Sequence, residues 1–325
     1  MKKVRWFYFG MMVFALLIAC SKADETTTSS SKKSFSIETP INAVTTTGMI
    51  ADAVERIGGS YVKVTGLMGP GVDPHLYKAS EGDIQRLMNA DIIFYNGLNL
   101  EGKMGDIFVK MARTRPVVAL TDNLNPEMLR EPPEFQGHYD PHVWFDVKLW
   151  AETLPMIAEG LADLDPKHAD EFRRNMKAYR EELLHLDQWC RDTIAKIPAP
   201  QRVLVTAHDA FGYFGRAYNI HVVALQGIST VSEFGLKDVQ RLVDLIVDRK
   251  IKAVFVESSI PQRSIEAVVE GVRKRRHDVI IGGTLFSDAM GKPGTPEGNY
   301  IGMVRANVTT ITNALLGRGD HADIK

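Results

Sequence analysis

The chain has 325 residues, of which 45% are hydrophobic and 24% charged, so it can bury a substantial core in one large or two ordinary domains. Lys and Arg number 39 and Asp and Glu number 40, and no arginine-rich or aromatic-interleaved basic segment occurs. This balance lacks the electrostatic footprint of nucleic-acid binding, and we expect no nucleic-acid partner.

The chain begins with a pattern typical of a bacterial signal peptide. Lys2, Lys3 and Arg5 form a basic start, and an apolar run follows them. The run is too short for a membrane-spanning helix, which needs about 20 residues. It ends in the letters LIAC, which resemble the lipobox of bacterial lipoproteins. We therefore predict a signal peptide over residues 1–19 and a lipid on Cys20.

Residues 20–34 are rich in Ser, Thr and Lys and lack apolar periodicity, so they predict a lipidated flexible tether. The protein would then be extracytoplasmic, in the periplasm or at the cell surface, and anchored to the membrane. An ordinary secretory peptide with a coincidental cysteine is the alternative. Apart from Cys20 the only cysteine is Cys190, so we expect no internal disulfide.

Strand and helix patterns alternate through residues 35–164. Strands are predicted at 41–47, 62–68, 91–96 and 117–120, and helices at 49–57, 79–88 and 104–112. Strands separated by helices indicate a mainly parallel sheet flanked by helices. We interpret this segment as an N-terminal α/β lobe.

The same alternation restarts after Pro200 and predicts a second α/β lobe over residues 199–325. Its strands are predicted at 202–207, 221–225, 253–256 and 279–281, and its helices at 239–247, 264–272 and 301–316.

Between the lobes, residues 165–198 predict one long helix. Asp165 and Pro166 form a suitable N-terminal cap and first turn, and Pro198 marks the end. Apolar residues recur between them, mostly every three or four positions. Such a helix could connect two lobes, and a long surface helix within one domain is the alternative.

Four chemically suited side chains follow predicted strands or lie in sharply punctuated loops: His75, His142, His208 and Asp288. Two come from each predicted lobe, and ligands of open α/β sheets gather beyond the carboxyl ends of the strands. Imidazole and carboxylate suit zinc, manganese or ferrous iron, whereas copper(I) and iron–sulfur clusters prefer sulfur. Spacing alone leaves the site open, because the separations match no compact metal motif.

The remaining histidines are interpreted as surface or hydrogen-bonded residues. These are His138, His168, His185, His221, His277 and His321.

Five segments resemble the TroA-type metal-binding lipoproteins, the cluster A-I solute-binding proteins of ABC importers. They are GMIAD at 48–52, GPGVDPH at 69–75, DPHVWFD at 140–146, VTAHDAF at 205–211 and FSDAMG at 286–291. The resemblance extends from about residue 44 to residue 316. It implies two α/β lobes joined by one long rigid helix.

The resemblance also implies the metal ligands, which fall on His75, His142, His208 and Asp288. A histidine at the third position favours zinc over manganese. The short segment at 121–139 lacks the long His-rich loop of dedicated zinc binders. Zinc and manganese therefore stay open, with ferrous iron a further alternative.

Five carboxylates near these ligands are candidates to orient the imidazoles: Asp73, Asp140, Asp146, Asp209 and Glu257. Capping or turn roles are the alternative for each of them.

We expect a receptor, monomeric and without enzymatic activity, that delivers Zn²⁺ or Mn²⁺ to the permease of an ABC importer. No His-Glu-x-x-His motif occurs, which weighs against the alternative of a secreted zinc metalloenzyme. Two further hypotheses for the function are a surface adhesin and a receptor for chelated metal or haem.

Overall fold

The computed structural model describes residues 34–135 and 137–318. The predicted signal peptide, the predicted lipidation site at Cys20 and nearly all of the predicted tether lie outside these residues. Within the described part of the chain, no helix combines the length and the apolar character that crossing a bilayer requires.

The N-terminal half is built on a four-stranded parallel sheet with the order β2-β1-β3-β4. Its strands are β1 (Ile41–Thr45), β2 (Val62–Gly66), β3 (Ile92–Tyr95) and β4 (Val117–Ala119). The helices of this half are α1 (Gly48–Gly58), α2 (Glu81–Asn89), α3 (Gly105–Met111), α4 (Val147–Ala151) and α5 (Leu154–Leu164). Each parallel connection needs a crossover, so β1, β2, β3 and β4 alternate with α1, α2 and α3.

A long helix, α6 (Ala169–Ile194), follows the N-terminal half. Its 26 residues extend about 39 Å at 1.5 Å per residue. The predicted helix began earlier, but Pro166–His168 forms a 3-10 turn in which Asp165 bonds His168 Nδ1 at 2.5 Å. The α-helical bonding stops at Ile194, shortly before Pro198, whose ring disfavours a helical residue before it.

The C-terminal half contains two parallel strand pairs, β5–β6 and β7–β8, and β5 lies next to β7. The strands are β5 (Val203–His208), β6 (His221–Gln226), β7 (Ala253–Glu257) and β8 (Ile280–Leu285). The helices are α7 (Gly212–Tyr218), α8 (Leu236–Asp248), α9 (Arg263–Lys274) and α10 (Tyr300–Leu315). The C-terminal ends of β5 and β7 therefore lie side by side.

One apolar cluster runs through both halves. It contains side chains of the N-terminal sheet and of α4, α6 and α10, including Trp150, Phe172 and Tyr300. The rings of Trp150 on α4 and Tyr300 on α10 lie 5.7 Å apart between centroids. Two smaller clusters lie on the outer faces of the strands, one in each half. The halves are thus joined by a shared core as well as by α6.

Candidate metal centre

The structure brings the four predicted ligands together in one buried cluster. His75, His142, His208 and Asp288 each offer a ligand atom, and these atoms all lie within 4.8 Å of one another. His75 Nε2 lies 3.2 Å from His142 Nε2, and His142 Nε2 lies 3.5 Å from Asp288 Oδ1. His208 Nε2 lies 3.4 Å from Asp288 Oδ2.

These separations fit a small divalent cation. Tetrahedral bonds of about 2.0–2.1 Å place neighbouring ligand atoms about 3.3–3.4 Å apart. Three of the separations in the cluster, 3.2, 3.4 and 3.5 Å, lie close to that value. A cation at the centre of the cluster would therefore lie within bonding distance of nitrogen and oxygen from both halves.

Each ligand is placed by the end of a regular element or by a tight turn. His208 is the last residue of β5, and Asp288 follows β8 by three residues. His75 lies in the loop after β2, and His142 directly precedes the 3-10 helix Val143–Phe145. The site therefore forms beyond the carboxyl ends of parallel strands, where α/β proteins collect their ligands.

Glu257, the last residue of β7, fixes His208 through two hydrogen bonds. Oε1 accepts from the backbone N–H of His208 at 2.8 Å, and Oε2 lies 2.5 Å from His208 Nδ1. When Nδ1 donates its proton to this carboxylate, Nε2 is left with a lone pair that faces the cluster. Glu257 therefore selects the tautomer that a metal requires.

Asp140 has the same relation to His142. Oδ1 accepts from the backbone N–H of His142 at 3.0 Å and lies 2.7 Å from His142 Nδ1. The other oxygen accepts from Arg130 Nη1 at 2.5 Å. Arg130 has no recognisable signal in the sequence, because it lies in an irregular segment ten positions before Asp140.

Asp73 holds the His75 loop without contacting the imidazole. Oδ1 accepts from the backbone N–H of His75 at 2.8 Å, and Oδ2 accepts from Thr230 Oγ1 at 2.6 Å. Among the described residues, no side chain or backbone group hydrogen-bonds His75 Nδ1. Thr230 belongs to the C-terminal half, so Asp73 connects the two sides of the site.

The other two candidate carboxylates form no hydrogen bond with the four ligand side chains. Asp146 accepts from the backbone N–H of Leu149 at 3.1 Å, which caps α4, and lies 3.6 Å from Arg216 Nη2. Asp209 is half-buried, and burial, together with the charge of Asp140, raises its pKa. The structure thus brings Asp140 and Glu257 to the imidazoles and Asp73 to a ligand backbone. Asp146 caps α4, and Asp209 lies close enough to Asp140 for the two charges to interact.

The cluster is closed by contacts across the halves. Trp144 Nε1 donates to the carbonyl of Ser287 at 3.0 Å, directly beside Asp288 in the chain. Tyr300 Oη donates to the carbonyl of Trp144 at 2.6 Å. These bonds position the Asp288 loop against the His142 segment.

The electrostatics differ between the ligands. Burial lowers the pKa of His75 to about 3, so this imidazole is neutral at physiological pH. Burial also opposes the charge on His208, but Glu257 and Asp288 outweigh it and raise the pKa of His208 well above its usual range. The pKa of Asp288 is depressed despite burial, because His208 stabilises its charge.

Two ligand atoms lack hydrogen bonds although they are fully buried. Among the residues described, no group hydrogen-bonds His208 Nε2 or Asp288 Oδ1. Buried polar atoms in native proteins nearly always have a partner. A cation bound at the centre would supply the missing partner for both atoms, so the donor set fits a metal.

The other described histidines lie away from this cluster. His168 stacks on Tyr61 at 4.0 Å between centroids, and His277 Nε2 lies 3.0 Å from the carbonyl of Ile251. His138 contacts Phe135, and His221 is exposed on β6. His321 lies outside the described residues.

Comparison with known proteins agrees with this geometry. The profile of the family described as zinc-uptake complex component A periplasmic matches residues 43–314. A relative from Bacillus subtilis (strain 168), named manganese-binding lipoprotein MntA, is 51% identical over 307 residues, which cover 94% of this chain and 99% of the relative. A relative from Treponema pallidum (strain Nichols), named zinc-binding protein TroA, is 52% identical over 272 residues, which cover 84% and 88%.

A solved structure, described as the periplasmic zinc-binding protein TroA from Treponema pallidum, matches with a TM-score of 0.83 and 50% identity. The match covers 85% of this chain and 99% of that one. The predicted fold class, parallel strands flanked by helices and halves joined by a long helix, is thereby confirmed. A family profile over most of the chain, and relatives matched over most of their length, establish that the chain belongs to the ZnuA/TroA-type family of periplasmic metal-binding proteins.

Proposed function

We propose that this chain is an extracytoplasmic receptor that captures one Zn²⁺ or Mn²⁺ ion between its halves and delivers it to the permease of an ABC importer. The observation that carries the proposal is the buried convergence of three imidazoles and one carboxylate, with ligand atoms within 4.8 Å of one another. His75, His142, His208 and Asp288 are the proposed ligands, and the bound ion is cargo.

The ligand set supports binding rather than catalysis. A catalytic zinc usually keeps three protein ligands and one open position for water or substrate. Here four side chains surround the centre and all four are buried. The relatives are named as binding proteins. We therefore propose that the metal-loaded protein has no hydrolase activity, which a screen of esterase and peptidase substrates would test.

The proposed preference among metal ions follows from the chemistry of the four ligands. Zinc binds nitrogen and oxygen ligands more tightly than manganese or ferrous iron in the first-row series. We propose that zinc binds with the higher affinity in vitro and that manganese also fits. The two relatives, at nearly equal identity, are named for different metals, so competition between the two ions is the direct test.

We propose that a lipid on Cys20 anchors the mature protein, with residues 20–34 as a tether. The folded body would comprise an N-terminal lobe (35–164), a linking helix (165–198) and a C-terminal lobe (199–325), and would act as a monomer. Replacing Cys20 with alanine should move the protein from the membrane fraction to the soluble fraction of its host. Light scattering would test the monomer.

The central experiment combines elemental analysis with calorimetry. Protein purified without added metal should contain close to one zinc or manganese ion per chain. His75→Ala and Asp288→Ala should each weaken Zn²⁺ binding by more than ~100-fold, beyond the 10–100-fold typical of residues that only orient ligands. Replacing His168, which stacks on Tyr61, is the matched control and should leave binding unchanged. Undiminished binding in both ligand variants would remove the assignment.

A further inference from the structure

One arginine links the segment before His142 to the C-terminal half. We propose that Arg130 is a positioning residue for metal binding, which fixes the Asp140 carboxylate and, through it, the His142 imidazole. The inference rests on the proposed function, because it gives Arg130 a role at the same metal centre.

The Asp140 carboxylate uses both of its oxygens. Oδ1 accepts from the backbone N–H of His142 and faces its Nδ1, while Oδ2 accepts from Arg130 Nη1 at 2.5 Å. Asp140 is completely buried, and a buried carboxylate is costly unless it is paired and hydrogen-bonded. Arg130 supplies the opposite charge and a hydrogen bond to one oxygen of Asp140, which leaves the other oxygen directed at His142 Nδ1.

Arg130 is itself held by Tyr213 of α7. The backbone N–H of Arg130 donates to Tyr213 Oη at 3.0 Å, and the same hydroxyl donates to the carbonyl of Asp140 at 2.9 Å. The backbone N–H of Asp140 also donates to the carbonyl of Arg130 at 2.8 Å. Arg130 and Asp140 are therefore hydrogen-bonded to each other through their backbones, and both are attached to the C-terminal half through the buried Tyr213.

Gly212, the first residue of α7, provides the space for this guanidinium. A Cβ added to Gly212 would lie 1.2 Å from Arg130 Nη1 and 2.2 Å from its Cζ. The flexible arginine could move aside, but it would then leave Asp140. The position of the Arg130 side chain thus explains why residue 212 is a glycine. Substituting Gly212 should displace the guanidinium, so the placement of Arg130 can be tested without replacing Arg130 itself.

The experiment uses the full chain with Arg130→Gln, Arg130→Lys and the control Arg216→Gln. The Arg216 guanidinium lies 5.0 Å from the centroid of the Tyr213 ring that Arg130 also faces at 5.7 Å, but its ion pair is with Asp146 rather than Asp140. Zn²⁺ affinity is measured by competition with a chromophoric chelator, and the ligand field by the absorption spectrum of the Co²⁺ form. Thermal unfolding of each metal-free variant checks that it is folded.

Arg130→Gln should weaken Zn²⁺ binding, by up to the 10–100-fold typical of losing a histidine's carboxylate partner, and alter the Co²⁺ spectrum, because Asp140 is then no longer held against His142. Arg130→Lys keeps the charge but lacks the planar fork, so it should restore part of the affinity. Arg216→Gln should match the unmodified protein. A role in folding alone would lower thermal stability without changing the Co²⁺ spectrum.

Gly212→Ala should reproduce the loss of Zn²⁺ affinity seen in Arg130→Gln, and the double variant should lose no more affinity than Arg130→Gln alone. A folded Arg130→Gln protein with unchanged affinity and spectrum would overturn the inference. If Arg130→Gln does not fold, unchanged affinity and spectrum in Arg130→Lys and Gly212→Ala would overturn it equally. Absence of Zn²⁺ binding by the unmodified chain would instead refute the proposed function.

Discussion

His208 is fixed by two hydrogen bonds to one carboxylate, whereas His75 is fixed only through its backbone. Glu257 contacts both the N–H and the Nδ1 of His208 from the end of a neighbouring strand. Asp73 contacts only the N–H of His75, and its second oxygen reaches across to Thr230. Both imidazoles face the same centre, but one is attached to a strand end and the other lies in a loop.

This difference separates two tasks of a carrier. A ligand whose tautomer and orientation are set in advance binds tightly, because little ordering remains to be done when the ion arrives. A ligand on a loop can move and let the ion pass. We infer that His208 and His142, each held by a carboxylate at both N–H and Nδ1, form the fixed part of the site and that the His75 loop is its adjustable part.

Among the variants that separate His208 from His75 without removing a ligand, Glu257→Gln should have the largest effect. Glutamine can still accept from the backbone N–H of His208, but its amino group would then face Nδ1 and favour the tautomer with a proton on Nε2. Zn²⁺ binding should weaken about 10–100-fold, as measured by chelator competition.

Asp73→Asn is the matched control for Glu257→Gln, because the Asp73 carboxylate contacts no imidazole. Asp73→Asn should weaken Zn²⁺ binding clearly less than Glu257→Gln does. Equal losses of Zn²⁺ affinity in the two variants would contradict the inference that His208 is fixed more firmly than His75.

The pH dependence should come from the His208 side. Since the pKa of His208 is raised, the metal-free protein holds a proton there at neutral pH, which an arriving cation must displace. Affinity should therefore increase with pH, by about tenfold per unit for one displaced proton. His75, with a pKa of about 3, adds nothing in this range.

The free energy of unfolding of the metal-free protein should decrease as pH rises, whereas the metal affinity increases. A raised histidine pKa stabilises the folded state below the unfolded value of about 6.5, and that contribution is lost as pH rises through the folded pKa. Calorimetry in buffers of different ionisation enthalpy would count the released protons, and thermal unfolding without metal would follow stability. An affinity that falls as pH rises from 6 to 8 would contradict this assignment.

The smallest effect is expected from Thr230→Val. It removes the hydrogen bond to Asp73 Oδ2, and a bond of this kind contributes about 0.5–1.5 kcal/mol, which corresponds to roughly 2–13-fold in affinity. The loss should appear mainly as faster dissociation of the ion in stopped-flow chelation. Thr230→Ser keeps the hydroxyl and should behave like the unmodified chain. A loss as large as that of Glu257→Gln would show that the loop is no less fixed than the strand end.

Much of the fold follows from local pattern in the sequence. Alternating strand and helix periodicities indicate parallel strands, and the long apolar stripe indicates α6. The helices α4, α5 and α7 are not among the predicted elements; α4 and α7 have only five and seven residues, too few for a periodicity to emerge. The order of strands and the division of the C-terminal strands into two pairs depend on tertiary packing and leave no local signal.

At the site, the predicted ligands stand at strand ends and in turns, where chain geometry alone suggests convergence. Asp140 and Asp146 could not be distinguished within one motif, since the direction of each side chain makes one a partner of His142 and the other a cap of α4. Arg130 and Thr230 were missed. Thr230 lies 157 positions from Asp73, and only the folded chain brings the two together.

The apolar core shared by the two halves affects how the bound ion can be released. A wide separation of the two halves would pull Tyr300 away from Trp150, and exposing each large apolar side chain costs about 1.5–3 kcal/mol. A swing of the loop that carries His75 disturbs none of these rings. Release of the ion to the permease should therefore begin with a local movement of the His75 loop, while the two halves keep their relative position.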